Sequence, residues 1–407
     1  MACGQECLTG MSTRRAAFRL STGYAKLQTR WEIPVLIRSV LAAFSTSKGM
    51  DIKKATRAYE TWLARRMPLI AADLNRKHER MAEDPFAFLR ATFYVWIDRW
   101  PQVCPDLVRA PLVLGVGDLH VENFGTWRDA EGRLVWGVND FDEACQMPYT
   151  NDLVRLAASA LLAVKQNHLA SPSVAVCEAI VEGYLAALGE GGRPIVLAER
   201  HAWLRELAKS ELRDPIPFWQ KLNHWGQVDR QVPADIKQAL REAMPEPGLP
   251  FKVVHRQAGL GSLGRRRFTA LAEWRGGMIA REAKELTISA WHWQDSGPQN
   301  SALHYGQIIA QAVRVADPFL KFHQHWLIRR LAPDCSRVEL AALPQAKAEL
   351  KLLHAMGWET ANIHLGTKGA ARKIRLDLGK RPSKWLQKAA TAIVEITLAD
   401  WKQWRSK

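Results

Sequence analysis

Two short apolar runs, each ending in a loop crowded with carboxylates and amides, constrain this chain more than any other feature. Leu112-Val113-Leu114-Gly115-Val116 leads into Gly117-Asp118-Leu119-His120-Val121-Glu122-Asn123-Phe124-Gly125. After a turn at Asp129–Gly132, Leu134-Val135-Trp136-Gly137-Val138 ends in Asn139-Asp140-Phe141-Asp142-Glu143. Short apolar runs bounded by turn residues read as strands. The spacing predicts that the two runs pair as a hairpin, which would gather Asp118, Asn123 and Asp140 at one end. A helix is expected to follow, capped by Thr150 or Asn151 and continuing through Leu153, Leu156, Ala160 and Leu161.

The residue types at that end suit one chemistry. An Asn oxygen and an Asp carboxylate are hard ligands of the kind Mg²⁺ takes, and Mg²⁺ needs only one or two carboxylates when phosphates complete its shell. Asp118 can orient or deprotonate an attacking hydroxyl. Positioning, metal charge and one base are what phosphoryl transfer requires. Taken singly, each residue is an ordinary turn or cap former. Together, Asp118 and Asn123 five apart and Asp140 after a second strand match the D-x-x-x-x-N plus metal-Asp pattern of kinase catalytic loops.

The rest of the chain is organised around this segment. Residues 1–30 read as a loosely ordered leader and 31–110 as a helical N-terminal region, with Leu63, Met67, Ile70 and Leu74 expected along one helical face. Residues 111–249 form the catalytic region, helical beyond residue 170. At Pro250 the period changes: 251–256, 266–271 and 278–284 read as three strands around glycine turns, hence a small antiparallel sheet. A helix near His304–Val315, a strand at Trp326–Leu331 and C-terminal helices over 336–407 complete the reading. The fold class expected is α+β.

Gly259-Leu260-Gly261-Ser262-Leu263-Gly264 lies between two of those strands, and Lys284 ends the third, 20 residues on. A glycine hairpin turn is the plainer reading of such a motif. The strand context instead fits a loop whose amides cover nucleotide phosphates, with Lys284 pairing them. In protein kinases these parts precede the catalytic loop, whereas here they follow it. A circularly permuted arrangement is therefore expected, with 250–335 as the nucleotide-binding region. Glu285 should face away from Lys284, and Gln311 is the one polar candidate as partner for the lysine.

Gly117 to Asn123 resembles the catalytic loop of aminoglycoside and choline kinases, and Val138 to Asp142 resembles their metal-binding strand end. More closely, the chain resembles a bacterial family catalogued as domain of unknown function 2252. The residues that carry this are Asp84-Pro85-Phe86-Ala87-Phe88-Leu89-Arg90, Gly117–Gly125, Asn139–Glu143, Pro148–Ser159 with Asp152 and Arg155, Gly259–Gly264, and Lys284-Glu285. The resemblance spans roughly residues 80 to 405, departing at Ala91, where that family usually carries Gly. It implies a bilobal, protein-kinase-like fold with a helical N-terminal extension. By carry-over Asp118 matches the catalytic base, Asn123 a metal ligand and Asp140 the principal Mg²⁺ ligand. His120 would brace the loop, Asp142 would assist the metal or cap the turn, and Asp152 would anchor the loop through Arg155 or loop amides.

Composition bounds the partners. Lys plus Arg is 57 against 41 acids, a net charge of +16, which admits nucleic acid, anionic lipid or a phosphorylated ligand. Apolar runs are too short to span a bilayer, the N-terminal residues lack a secretory h-region, and six dispersed cysteines, Cys3 and Cys7 among them, fit neither a disulfide scaffold nor a zinc site. A cytoplasmic location is expected. The basic run 368–384 reads most simply as a solvated face, and Arg265-Arg266-Arg267, adjoining the glycine loop, as a half solvent-exposed strand that could contact phosphates. Neither the His323-Gln324-His325 alternation nor the 17 tryptophans make a recognisable metal or base-stacking module. The leading expectation is an ATP- and Mg²⁺-dependent phosphotransferase acting on a hydroxyl of a small molecule or protein. Nucleotidyl transfer on the same fold, and a non-catalytic nucleotide-sensing module with a basic nucleic-acid-binding surface, stand as alternatives.

Overall fold

The computed structural model describes residues 51–406 apart from 167, 199, 210–213, 224–231, 294–301 and 336–345. The leader over 1–30, Cys3, Cys7 and the first part of the expected helical region lie outside the described residues. Among them the chain is α+β, with thirteen α-helices and three small antiparallel sheets.

Four helices open it: α1 (Ile52–Ala64), α2 (Ala71–Glu83), α3 (Pro85–Ala91) and α4 (Phe93–Val103). Asp51 caps α1 through the amides of Lys53 and Lys54, and Asp84 caps α3 through the amide of Ala87, each meeting orphan donors of a first turn. Pro85 at the first helical position of α3 suits its fixed φ. Leu63, Met67, Ile70 and Leu74 do not share one helix. The chain leaves α1 after Ala64 and Ile70 becomes the N-cap of α2, because Pro68 removes a donor and biases its predecessor away from helix.

Next come β1 (Leu112–Gly115), β2 (Phe124–Arg128), β3 (Leu134–Val138) and β4 (Cys145–Pro148). The two runs that seemed to form a hairpin do not pair. β1 pairs with β4, and β3 pairs with β2, Phe124 standing opposite Val138. The tight turn at Asp129–Gly132 explains this: Asp129 Oδ1 accepts from the amides of Glu131 and Arg133, closing a local hairpin. The polar ends still meet, since Asn139 N donates to Asn123 O at 3.0 Å.

Helix α5 (Tyr149–Lys165) starts on Pro148 with no side-chain cap. Thr150 and Asn151 are not caps: Thr150 donates to Leu107 O, and Asn151 accepts from Trp96 and donates to Gly117 O. α6 (Ser173–Glu190), β5 (Ile195–Val196), α7 (Ala202–Lys209), α8 (Pro215–Asn223) and α9 (Ala234–Glu242) follow, β5 adding an edge to β3.

β6 (Lys252–His255), β7 (Arg267–Trp274) and β8 (Gly277–Glu285) form the expected antiparallel meander, extended by β10 (Trp326–Leu331) and β9 (Lys321–His323) after α10 (Tyr305–Gln311). His323-Gln324-His325 forms the β9–β10 connection, with Gln324 at φ 52°.

The chain ends in α11 (Ala346–His364), α12 (Ala370–Leu378) and α13 (Trp385–Arg405). These join the same apolar core as α1 to α6. Helices α6 and α11 cross with almost no side chain between them: a methyl on Gly183 would meet the His354 carbonyl, and one on Gly357 the Ile180 carbonyl. Small residues permit that backbone approach.

Candidate functional site

The loop between β1 and β2 is held by a buried carboxylate. Asp152, fully buried on α5, accepts from Val116 N at 2.7 Å and Gly117 N at 2.9 Å. His364 on α11 lies 3.0 Å from Asp152 Oδ2 through Nε2, and its Nδ1 lies 2.8 Å from the Tyr184 hydroxyl. A relay from Tyr184 through His364 thus fixes the loop, each polar group satisfied inside a dry core. Gly117 turns at φ 84°, and a methyl there would collide with Glu143 O, so the two polar loops pack backbone to backbone.

Asp118 then points away from this anchor. Its Oδ1 accepts from Arg155 Nε at 2.8 Å and from Arg155 Nη2. Arg155 therefore serves Asp118, while Asp152 takes the loop amides. The other oxygen, Oδ2, faces Gly261: a methyl on that glycine would sit 3.5 Å from it. Burial pushes the Asp118 carboxyl up to about 7 against the opposing pull of Arg155.

His120 and Asn123 lock one another. Asn123 Oδ1 accepts from His120 N at 2.6 Å, and His120 Nδ1 accepts from Glu122 N at 3.2 Å. His120 also meets the Phe86 ring edge to face. Both residues are buried.

The second loop faces the five-stranded sheet. Lys284, 2% exposed on β8, reaches Asp140 Oδ1 at 3.1 Å and Asp142 Oδ1 at 2.6 Å. The unassigned partner of this lysine is therefore the Asp140–Asp142 pair, not Gln311. Glu285 turns to the opposite face, as alternation requires, and pairs with Arg266 at 2.5 Å and His325 at 3.4 Å. Burial works to raise the Asp140 carboxyl, but Lys284, the Asp142 hydrogen bond, Arg329 and Arg267 outweigh it and hold Asp140 well below the usual range. Burial and the Asp140 charge push Asp142 up, as expected for two carboxylates sharing one site.

Glu143 ties this loop to the chain beyond β8. Its Oε2 accepts from Ala290 N at 2.6 Å and Ser289 Oγ at 3.0 Å, and its Oε1 from Arg265 Nη2 at 3.2 Å. The Arg265-Arg266-Arg267 run is not the half solvent-exposed strand expected. Arg265 and Arg267 are buried, and all three are ion-paired; Arg267 pairs with Glu282 and also donates to Ser262 Oγ at 2.8 Å. Glu282, 0% exposed, gathers Arg256, Arg267 and Arg329. Arg329 stands opposite Glu282 in the β8–β10 register, while Arg267 stands opposite Lys284 on β8 and reaches Glu282 diagonally.

Between the two loops lies a small cavity bordered by Asp118, His120, Asn123, Asp140, Asp142, Gly259, Gly261 and Ser262. Lys284 stands behind Asp140 and Asp142 and does not line it. Gly264 does not line it either: its amide plane packs on α2, Gly264 O accepting from Ile70 N at 2.9 Å. The Gly259–Gly264 segment, a short 3₁₀ turn at Leu260–Ser262 rather than an open hairpin, is thus seated against α2 and α3. Asp73 fastens α2 further, lying 2.9 Å from His255 Nε2 and accepting from Gln257 at 2.6 Å.

Asn123, Asp140 and Asp142 supply one amide oxygen and two carboxylates to the cavity wall, a donor set suited to Mg²⁺ when phosphates complete the shell. Asn123 Oδ1 keeps a lone pair beyond its bond to His120 N. Among the described residues no set of three or more His, Cys, Asp or Glu stands in metal-binding array.

Sequence reasoning missed Lys77 of α2 and Arg90 of α3, which also line the cavity. The signal for Lys77 was weak, a single lysine on an amphipathic helix outside the motifs, whereas Arg90 closes the Asp84–Arg90 motif, which gave it no role at the site. The basic run over 368–384 behaves as expected: Lys368, Arg372, Lys373, Arg375, Lys380 and Lys384 are exposed, and Arg381 pairs with Asp377 at 2.6 Å. No helix among the described residues is long and apolar enough to cross a membrane.

No curated protein and no solved structure matches the chain. A family model does, over residues 69–215 and 252–407. The match takes in the Asp118 and Asp140 loops, the glycine segment, Lys284 and the bracing helices α5 and α11. On that match the chain belongs to the DUF2252 family, described as uncharacterized proteins conserved in bacteria.

Proposed function

We propose that the protein is an ATP- and Mg²⁺-dependent phosphotransferase of circularly permuted, kinase-like architecture acting on a hydroxyl. Support comes above all from one relationship: Lys284 of the sheet contacts Asp140 and Asp142, while Gly261 of the adjoining loop faces Asp118 Oδ2. Gly259, Gly261 and Ser262 border one cavity with Asp118, Asn123 and Asp140, while Lys284 stands behind the Asp140 and Asp142 carboxylates, and this juxtaposition supports the permuted reading although 250–335 follows 111–249 in the chain.

In this reading Asn123, Asp140 and Asp142 would hold Mg²⁺, whose charge offsets that of the phosphates. Arg155 fixes Asp118 Oδ1, so that Oδ2 is the oxygen that takes the acceptor proton. The acceptor oxygen bonds to the γ-phosphorus as the bond from that phosphorus to the β,γ-bridging oxygen breaks. The electron pair leaves with ADP, and the hydroxyl proton goes to Asp118. Lys284, behind Asp140 and Asp142, would hold these two carboxylates in place for the metal. A base raised to about 7 by burial matches neutral pH.

Incubation with γ-labelled and α-labelled ATP in the presence of Mg²⁺ tests this. Transfer of the γ label alone is the expected result, and transfer of the α label would replace phosphoryl by nucleotidyl transfer. Label transfer that survives Asp140→Ala would sink the metal assignment.

A further inference from the structure

The cavity beside Asp118 is lined by a buried cation, Lys77, that no acid contacts directly among the described residues. Lys77 is 4% exposed and makes no ion pair among the described residues. Its Nζ donates to Gly261 O at 3.3 Å and lies 5.8 Å from the centre of the Tyr94 ring. An ammonium carries three donors, and a buried charge without a partner is costly to keep. Every other cation near this wall is engaged with acids: Arg265 with Glu143 and Asp142, Arg90 with Glu122 at 2.5 Å, Arg155 with Asp118. Burial and the charge of Arg265 lower the Lys77 amine to about 8, with Glu60, Glu143 and Asp118 opposing.

Lys77 and Asp118 flank the same residue. The ammonium touches the Gly261 carbonyl, and Asp118 Oδ2 faces the Gly261 α-carbon. The space they border, about 40 Å³, corresponds to roughly three water molecules. That admits the anionic head of a small molecule.

We propose that this cavity is the acceptor subsite, and that it takes a small hydroxy compound carrying a carboxylate or phosphate group, the anion on Lys77 and the hydroxyl on Asp118 Oδ2. This rests on the phosphotransferase reading for the transfer step, though not for the binding of the anion.

Glycerate and glycerol 3-phosphate serve as probes, the one presenting a carboxylate and the other a phosphate. Their binding is measured by calorimetry to the full chain, without nucleotide, for the wild type, Lys77→Met and Lys77→Gln. The wild type is expected to bind at least one probe, and both variants to bind it tenfold or more weakly. Arg372→Gln, on the exposed face of α12, is expected to leave binding unchanged. Thermal unfolding separates recognition from scaffolding: removal of a buried charge that no acid contacts is expected to leave Tm unchanged or raise it. Wild-type protein that binds neither probe, equal affinity in either folded variant, or a Tm lowered in both variants would overturn the proposal. A Lys77-dependent anion site without label transfer from ATP would defeat the phosphotransferase reading alone. Transfer from ATP without a Lys77-dependent anion site would defeat this inference alone.

Discussion

Arg155 grips one oxygen of Asp118 and leaves the other facing Gly261. The guanidinium itself is stacked between Phe93, 5.0 Å from the ring centre, and Trp96, 4.8 Å. A base on a mobile loop would lose its aim, and here a buried arginine with packed faces fixes it. Because Asp118 acts ionised and its carboxyl sits near 7, the transfer rate is expected to rise with pH through about 7 and level off above it. Asp118→Asn is expected to abolish that rise and to lower the rate by about 10²–10⁴-fold, as read from γ-label transfer across a pH series.

Lys284→Met is expected to destabilise the fold by about 3 kcal/mol or less at pH 8, since it leaves two adjacent, partly buried carboxylates short of their buried cation. Like charges raise a carboxyl's pKa in the folded state. The folded form then favours the protonated carboxyl, so stability is present at low pH and lost as pH rises. Urea unfolding at pH 5 and pH 8 should therefore show a larger deficit at pH 8. An equal deficit at both would mean that Lys284 matters for packing alone.

Glu282 holds three arginines, so Glu282→Gln is expected to cost about 3–5 kcal/mol at pH 7. Burial opposes its ionisation, yet Arg329, Arg267 and Arg256 keep its carboxyl well below the ordinary value. Its contribution is accordingly present above its unfolded pKa and lost as pH falls. The variant should show a flatter acid limb of stability below about pH 4.5 than the wild type, measured by denaturant titration.

Gly183→Ala is expected to destabilise by about 1–3 kcal/mol or more, because the methyl enters the His354 carbonyl across the α6–α11 crossing. Gly191→Ala, where nothing stands within 4 Å of the added atom but φ is 80°, isolates the smaller cost of backbone strain alone. Comparison of the two unfolding midpoints checks that close packing sets the first value.

What could be read from the residues followed from local rules. The meander β6–β7–β8 was legible because glycine turns and alternation are written within a few residues. The Asp129–Gly132 turn was legible too, though the partner it gave β3 was not: a turn joins its own flanks, and the two runs with the strongest apolar character were not those flanks. Asp118, Asn123 and Asp140 were visible because their spacing is fixed by that short hairpin. Lys77, His364 and the pairing of Lys284 with Asp140 and Asp142 were not, because each joins distant segments through packing that no periodicity encodes. The arginines at 265–267 misled for the same reason, their counter-ions lying 15 to 123 residues away.

The β2–β3 hairpin carries Asn123 at one foot and Asn139 at the other, joined by a backbone hydrogen bond, with its tip at Glu131 and Gly132 exposed. Such a ribbon behaves as a spacer whose working end is blind to its own length. Rungs added in pairs beyond the exposed tip would leave the metal-facing and base-bearing loops in the same mutual pose. The tip is therefore the natural place to graft a reporter or an affinity handle onto this chain without disturbing its chemistry.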